Sequence, residues 1–182
     1  MKANAGIKQV DLSHLRVLHY PDPRLREVSA PVDEVDDDVR RLAERMFELM
    51  AAAPGVGLAA SQVGVAVRLF VACPNGEPVD RRAYVNPRIV SAEGTQQEEE
   101  GCLSFPGITC KIRRFDVVTI RATGLDGKEF EETARQLAAR VFQHEMDHLD
   151  GWLLVDRMGS LAKLTRRRAL KDLEEKFAEA NT

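Results

Sequence analysis

The stretch Gln143-His144-Glu145-Met146-Asp147-His148-Leu149 contains H-E-x-x-H, the pattern of a helix that holds a metal ion. His144 and His148 are four residues apart. On a helix of about 3.6 residues per turn they stand one above the other on one face, and their ring nitrogens can converge on one ion. Glu145 lies about 100° further round, better placed to act on water beside the ion than to ligate it. Two imidazoles hold a metal weakly. A third ligand is needed.

Working outward, Thr133-x-x-Gln136 has the form of a capping box and predicts the start of the metal helix. Gly151 is the expected residue just past its end. FDVVTIRATG (115–124) and KEFEE (128–132) flank Leu125-Asp126-Gly127, which predicts a hairpin with a D-G turn. VRLFVAC (67–73) reads as a buried strand, and residues 83–92 as another, interrupted at Asn86-Pro87. DDDVRRLAERMFELMAAAPG (36–55) reads as a helix with acidic residues at its positive end. Val39, Leu42, Met46, Leu49 and Met50 recur there at helical spacing, and Pro54-Gly55 ends it.

Residues 20–32, with Pro21, Pro23 and Pro31, are expected to run extended, and residues 1–14 to be poorly ordered. A last helix at about 160–179 places Leu161, Leu164, Leu170, Leu173 and Phe177 near one side, with Arg166, Arg167, Arg168 and Lys171 on the other. The order of elements predicts an α+β fold. The order is a helix, several strands, the metal-binding helix and a final helix.

The chain has 182 residues, which suits one domain. Hydrophobic residues make up 44% and aromatics only 5%, so the expected core is aliphatic. A net charge of −3 argues against DNA or RNA binding by the domain as a whole. No apolar run approaches the roughly 20 residues of a membrane span, and the first residues lack a signal-peptide core. Cys73, Cys102 and Cys110 provide no disulfide framework. The expectation is a cytoplasmic protein.

The third ligand is not downstream in the usual place. Extending the motif to H-E-x-x-H-x-x-G-x-x-H finds Gly151 but then Leu154. Glu174 and Glu175 sit in the basic last helix, where pairing with Lys171 and its arginine neighbours is the simpler role. Asp147 and Asp150 have the wrong angular offset. Upstream, Cys102 follows an acidic, turn-like segment, and its thiolate would leave one coordination position open, as catalytic sites do. Cys110, in GITCKI, and Cys73, closing VRLFVAC, read as small buried strand residues. The residues favour Cys102 without deciding it.

Three segments together resemble the signature motifs of the peptide deformylase family: Gly55-Val56-Gly57-Leu58-Ala59-Ala60-Ser61-Gln62, Glu100-Gly101-Cys102-Leu103-Ser104 and Gln143–Leu149. VLHYPDPRLREVSAPV (17–32) resembles the family's opening. The resemblance covers about residues 14–160. It implies a compact single α+β domain with antiparallel or mixed β-sheets around a central metal-binding helix, plus N-terminal and C-terminal helices. It leaves 1–13 as an N-terminal extension ahead of one catalytic domain, 14–182. It implies hydrolysis of the formyl group from N-formyl-methionyl nascent polypeptides, with release of formate.

It further implies one divalent metal on Cys102, His144 and His148. Ferrous iron is the native ion by resemblance, while Zn, Ni and Co also suit the ligand types. Glu145 falls at the family's catalytic carboxylate. Gln62 and the Leu103 N–H fall where the carbonyl oxygen is bound. A peptide would lie along Val56, Gly57 and Gly101 by strand addition. Leu137, Arg140 and Val141, on the His144 face of the metal helix, would line a methionine pocket.

The run Ser104-Phe105-Pro106-Gly107-Ile108 and the charged Arg140 depart from many relatives. A peptidase of internal bonds would lack its usual third ligand here, and a structural metal site would lack a fourth. The arginine-rich face of the last helix is either plainly solvated or a docking face for ribosomal RNA.

Overall fold

The computed structural model describes residue 4 and residues 7–180. Helix α1 (Asp37–Ala52) begins where the Asp36 carboxylate accepts the Val39 N–H at 3.0 Å. Its buried face is Val39, Leu42, Ala43, Met46, Phe47 and Met50. The chain then enters β1 (Gly57–Ala59), a 3-10 turn at Ala60–Val63, β2 (Leu69–Ala72) and β3 (Arg82–Glu93). Next come β4 (Gln96–Gly101), β5 (Thr109–Arg114), β6 (Val117–Thr123) and β7 (Glu129–Arg135). Helices α2 (Gln136–Leu149), α3 (Leu154–Arg157) and α4 (Ser160–Ala180) complete the order.

The strands form an antiparallel five-stranded sheet, ordered β1-β2-β3-β6-β7, and a separate β4–β5 pair. Strand β2 shows why the metal helix is central. Leu69 and Val71 point into the aliphatic cluster beneath α1, while Phe70 and Ala72 point into the cluster that includes Val141, Phe142 and Leu149 of α2. Both faces of that strand are therefore covered by helices. No helix among the described residues is long and apolar enough to cross a membrane.

Several local expectations give way to tertiary pairing. Thr133 does not cap α2. It lies in β7 opposite Thr119, with the two hydroxyl oxygens 2.8 Å apart, and α2 starts directly from the strand end at Gln136. The strand expected to break at Asn86-Pro87 runs on through a bulge. Asn86 adopts φ +50° there, and its amide exchanges two 2.8 Å hydrogen bonds with the Val32 backbone. The acidic segment before Cys102 is strand β4, not a turn. Within the proline-rich stretch, Pro23–Arg26 form a 3-10 turn capped by Asp22.

The disorder expected for residues 1–14 does not hold from residue 7 onward. Ile7 is buried in the α1 cluster, and Leu12–His14 form a 3-10 turn capped by Asp11. Asn4 bonds the Glu34 carbonyl at 2.9 Å and Asp36 at 3.1 Å. Residues 1–3, 5 and 6 lie outside the described residues.

The leucine side of the last helix packs only in part: Leu170 and Leu173 meet the body, whereas Leu161 and Leu164 do not. Leu161 and Leu164 are 74% and 67% exposed. Instead α4 meets the body through Ala162, Ala169, Leu170 and Leu173. Arg166, expected on the solvated side, turns inward and donates to the Thr109 carbonyl at 3.0 Å. Glu175 pairs with Lys171 as expected, and Glu174 accepts the Tyr20 hydroxyl.

Candidate metal centre

Cys102 follows the last residue of β4, and His144 and His148 stand one turn apart on α2. Their ligand atoms all lie within 4.8 Å of one another, the single such cluster among the described residues. His148 Nε2 is 3.3 Å from His144 Nε2 and 3.2 Å from Cys102 Sγ. Two nitrogens about 2.05 Å from one tetrahedral ion stand about 3.3 Å apart, and a nitrogen and a sulfur about 3.6 Å apart. The nitrogen pair matches that spacing, and the sulfur–nitrogen pair is about 0.4 Å tighter, so the three donors converge on one ion-sized point. Asp147 and Asp150 stay outside the cluster, paired with Arg114 and Arg157 and with Arg68. Cys73 and Cys110 are buried strand-end and strand residues.

The His144 ring and the backbone of the metal helix are held from behind. Glu100 Oε2 lies 3.3 Å from His144 Nδ1, the carboxylate–histidine arrangement that fixes a ring and its tautomer. Arg114 grips Glu100 with two hydrogen bonds, 2.9 and 3.0 Å. The Ser61 hydroxyl donates to the His148 carbonyl at 3.1 Å. Past the helix end, the Gly151 N–H reaches the His148 carbonyl and the Trp152 N–H the Asp147 carbonyl, a Schellman motif with Gly151 at φ +76°. A side chain there would also meet the Arg26 carbonyl oxygen at 2.7 Å. Gln143 clamps the middle of the helix: its amide accepts the Phe115 N–H at 2.9 Å and donates to the Phe115 carbonyl at 3.0 Å.

Burial and charge separate the titrating groups. Burial pushes Glu145 up to about 7, against the pull of a charged His144. A bound dication would shift it back toward the carboxylate. Burial also works against the charge of Glu100, but its bonds to His144 and Arg114 prevail and hold it at about 2. Burial pulls His144 down, yet the Cys102 sulfur and Glu100 raise it well above an ordinary histidine. Burial and the His144 charge depress His148. Glu145 Oε2 and His148 Nδ1 are buried without a hydrogen-bond partner.

The cluster opens on a cavity of about 580 Å³. Val56, Gly57, Gln62, Gly101 and Leu103 line one part, and Leu137, Arg140, Val141 and Glu145 another. All the residues expected to touch substrate are thus brought to one space. Gly57 has a reason beyond ligand approach. A Cβ there would collide with the Glu145 carboxylate and come within 2.9 Å of Val141. Gln62 holds the Ala59 N–H through its oxygen, at 2.9 Å, and donates to Ser104 at 3.1 Å and to Cys102 Sγ at 3.5 Å. The Leu103 N–H has no acceptor among the described residues. The Arg140 guanidinium is drawn to Gln96 at 2.9 Å, leaving its stem against the cavity.

Residues 14–164 match the model of the family described as polypeptide deformylase. The chain belongs to the polypeptide deformylase family. Removal of the formyl group from the N-termini of nascent peptides is the reaction that membership carries. The chain is 45% identical to peptide deformylase 1 of Burkholderia multivorans, over 88% of this chain and 89% of that protein. It is 45% identical to the peptide deformylase of Pseudomonas aeruginosa, over 91% and 97%. Among solved structures, a peptide deformylase from Legionella pneumophila superposes with a TM-score of 0.84 at 41% identity, covering 90% of this chain and 98% of that one. Peptide deformylase 1B of Arabidopsis thaliana gives 0.87 at 39%, covering 91% and 93%.

Sequence reasoning missed the parts of this deformylase site that hold it from behind. Arg114 and Gln143 carried no motif-independent signal, because their partners are 14 and 28 residues away across a strand pair and a turn. Glu100 was legible only as a letter of E-G-C-L-S. Of the run Ser104-Phe105-Pro106-Gly107-Ile108, all but Ser104 line the cavity, a position that the sequence did not show.

Proposed function

We propose that this chain hydrolyses the formyl amide of N-formyl-methionyl nascent polypeptides at one divalent ion held by Cys102, His144 and His148, natively ferrous iron. The observation that carries the reading is the convergence of those three donors beside the Glu145 carboxylate, whose Oε2 has no hydrogen-bond partner, in the wall of an open cavity. When bound, the ion supplies Lewis acidity, lowering the pKa of a water toward neutrality and polarising the formyl carbonyl. Glu145 takes the proton of the attacking water and passes it to the leaving amine, so the C–N bond breaks to formate and a free N-terminus.

Negative charge gathers on the formyl oxygen as the water adds. The unengaged Leu103 N–H is a donor for it. Gln62 becomes a second by exchanging its long sulfur contact for the substrate. Each such donor is worth about 3–4 kcal/mol in known cases. Val56, Gly57 and Gly101 pair with the peptide backbone by strand addition. Leu137, Val141 and the Arg140 stem enclose the methionine side chain. Residues 14–182 act as one catalytic domain preceded by residues 1–13.

Incubating the metal-loaded protein with a formyl-Met tripeptide and measuring formate tests the reading. Release is expected, and no formate with Fe²⁺, Zn²⁺, Ni²⁺ or Co²⁺ overturns it. For the metal, the Fe²⁺ form is expected to be active without oxygen and to decay in air, while Ni²⁺ and Co²⁺ forms persist. An equally active, air-stable zinc form would count against iron.

The nascent substrate places the enzyme in the cytoplasm, at the ribosome. Exposed Arg167, Arg168 and Lys171 of α4 make that helix the docking face for ribosomal RNA, and no DNA partner is called for. Salt-dependent co-sedimentation with ribosomes, lost on deleting residues 160–182, supports this. Unchanged co-sedimentation refutes it.

A further inference from the structure

The metal ligands come from two parts of the fold that share no backbone ladder. Cys102 directly follows strand β4, which belongs to the separate β4–β5 pair. His144 and His148 stand on α2, which packs mainly on β1, β2 and β7 of the five-stranded sheet. Strand hydrogen bonds therefore do not set the sulfur in register with the two imidazoles.

Arg114 spans that gap. Its side chain is only 6% exposed. Nε and Nη2 take both oxygens of Glu100, two residues before Cys102, at 2.9 and 3.0 Å. Nη1 donates at 2.6 Å to Asp147, the residue just before His148. Glu100 in turn meets His144 Nδ1. Asp147 is closed on its other side by Arg157. One planar guanidinium thus joins the strand carrying the thiol to the helix carrying both rings.

We infer that Arg114 is a positioning residue of the metal centre. It locks β4 against α2 so that one sulfur and two nitrogens converge on one ion. The inference rests on the three-ligand reading. The fork is what matters, because a lysine ammonium lacks the planar geometry that meets two carboxylates at once. Breaking a buried pair also leaves a carboxylate without compensation, so Arg114→Met alone would be ambiguous if it failed to fold.

The test compares the parent chain with Arg114→Lys and Arg114→Met. Affinity for Zn²⁺ is measured by chelator competition, and the site is read by the absorption of the Co²⁺ form. Arg114→Lys is expected to weaken zinc about 10- to 100-fold, the usual scale for losing an outer-shell partner. It is also expected to shift the thiolate-to-cobalt band. A lower melting temperature with unchanged affinity and an unchanged band overturns the inference and leaves Arg114 a role in the fold alone. If Arg114→Met does not fold, Arg114→Lys decides. A parent that binds no ion removes the three-ligand reading as well. A parent that binds, with Arg114→Lys equal to it, removes only this inference.

Discussion

Helices α2 and α4 both carry a run of apolar residues but sit very differently in the molecule. Seven of the fourteen residues of α2 are buried, including Gln143, Glu145 and His148. Of the twenty-one residues of α4, only Leu173 is. The polar groups of α2 are gripped by neighbours: Gln143 by the Phe115 backbone, Asp147 by two arginines, the C-terminus by a Schellman motif. Helix α4 touches the body along Ala162, Arg166, Ala169, Leu170 and Leu173, a stripe at helical spacing that bypasses Leu161 and Leu164. Helical periodicity alone identifies a helix. What packs on it decides which face is buried, and only the packed helix can hold reactive groups in a fixed geometry.

The largest effect expected on this contrast is chemical. Glu145→Ala should keep its metal and lose about 10²–10⁴-fold in turnover, the range for removing a general acid–base group. Metal content and formate release measured on one preparation check both halves. Loss of metal would mean that Glu145 supports the ligands instead of working on water.

Stability gives the next test. Phe142, fully buried against Phe70 and Tyr84, should cost about 3–5 kcal/mol as Phe142→Ala. Leu164→Ala, on the exposed side of α4, should stay within about 0.5 kcal/mol. Denaturant midpoints of the two variants compare the helices directly, and similar losses would erase the distinction between them.

The smallest effect lies at the joint between the two helices. Asp156 of α3 accepts the Leu153 N–H at 2.8 Å and pairs with Arg26 at 2.7 Å. Burial raises its pKa, but these bonds outweigh that and hold it below the ordinary value. A depressed carboxylate contributes stability that is fully present above the unfolded pKa and fades as pH falls through the folded one, so below about pH 4. The parent should lose more stability than Asp156→Asn between pH 7 and pH 3. Equal losses in urea melts would show the pair to be idle.

Much of this architecture was legible because local chemistry and tertiary packing agreed. The α1 stripe, the Asp-Gly hairpin, the two-sided strand β2 and the His144–His148 spacing all reappear where periodicity puts them. The failures mark places where a distant partner won. Thr133 had a capping role open to it, but cross-strand pairing with β6 claimed it. Asn86-Pro87 looked like a break until the Val32 backbone engaged Asn86. Strand β4, QQEEEG, has no apolar alternation to announce it, yet it presents Cys102 and carries the carboxylate that orients His144. Ile7 fell in a segment too short for any period, although the α1 cluster had room for it.

The central claim is that the residue just after β4 and two from α2 share one ion, and metal-edge X-ray absorption of the zinc-loaded protein tests it most directly. The account predicts one sulfur at about 2.3 Å with two imidazole nitrogens at about 2.0–2.1 Å, and no sulfur after Cys102→Ala. A parent spectrum without a sulfur scatterer, or one unchanged in Cys102→Ala, would contradict it.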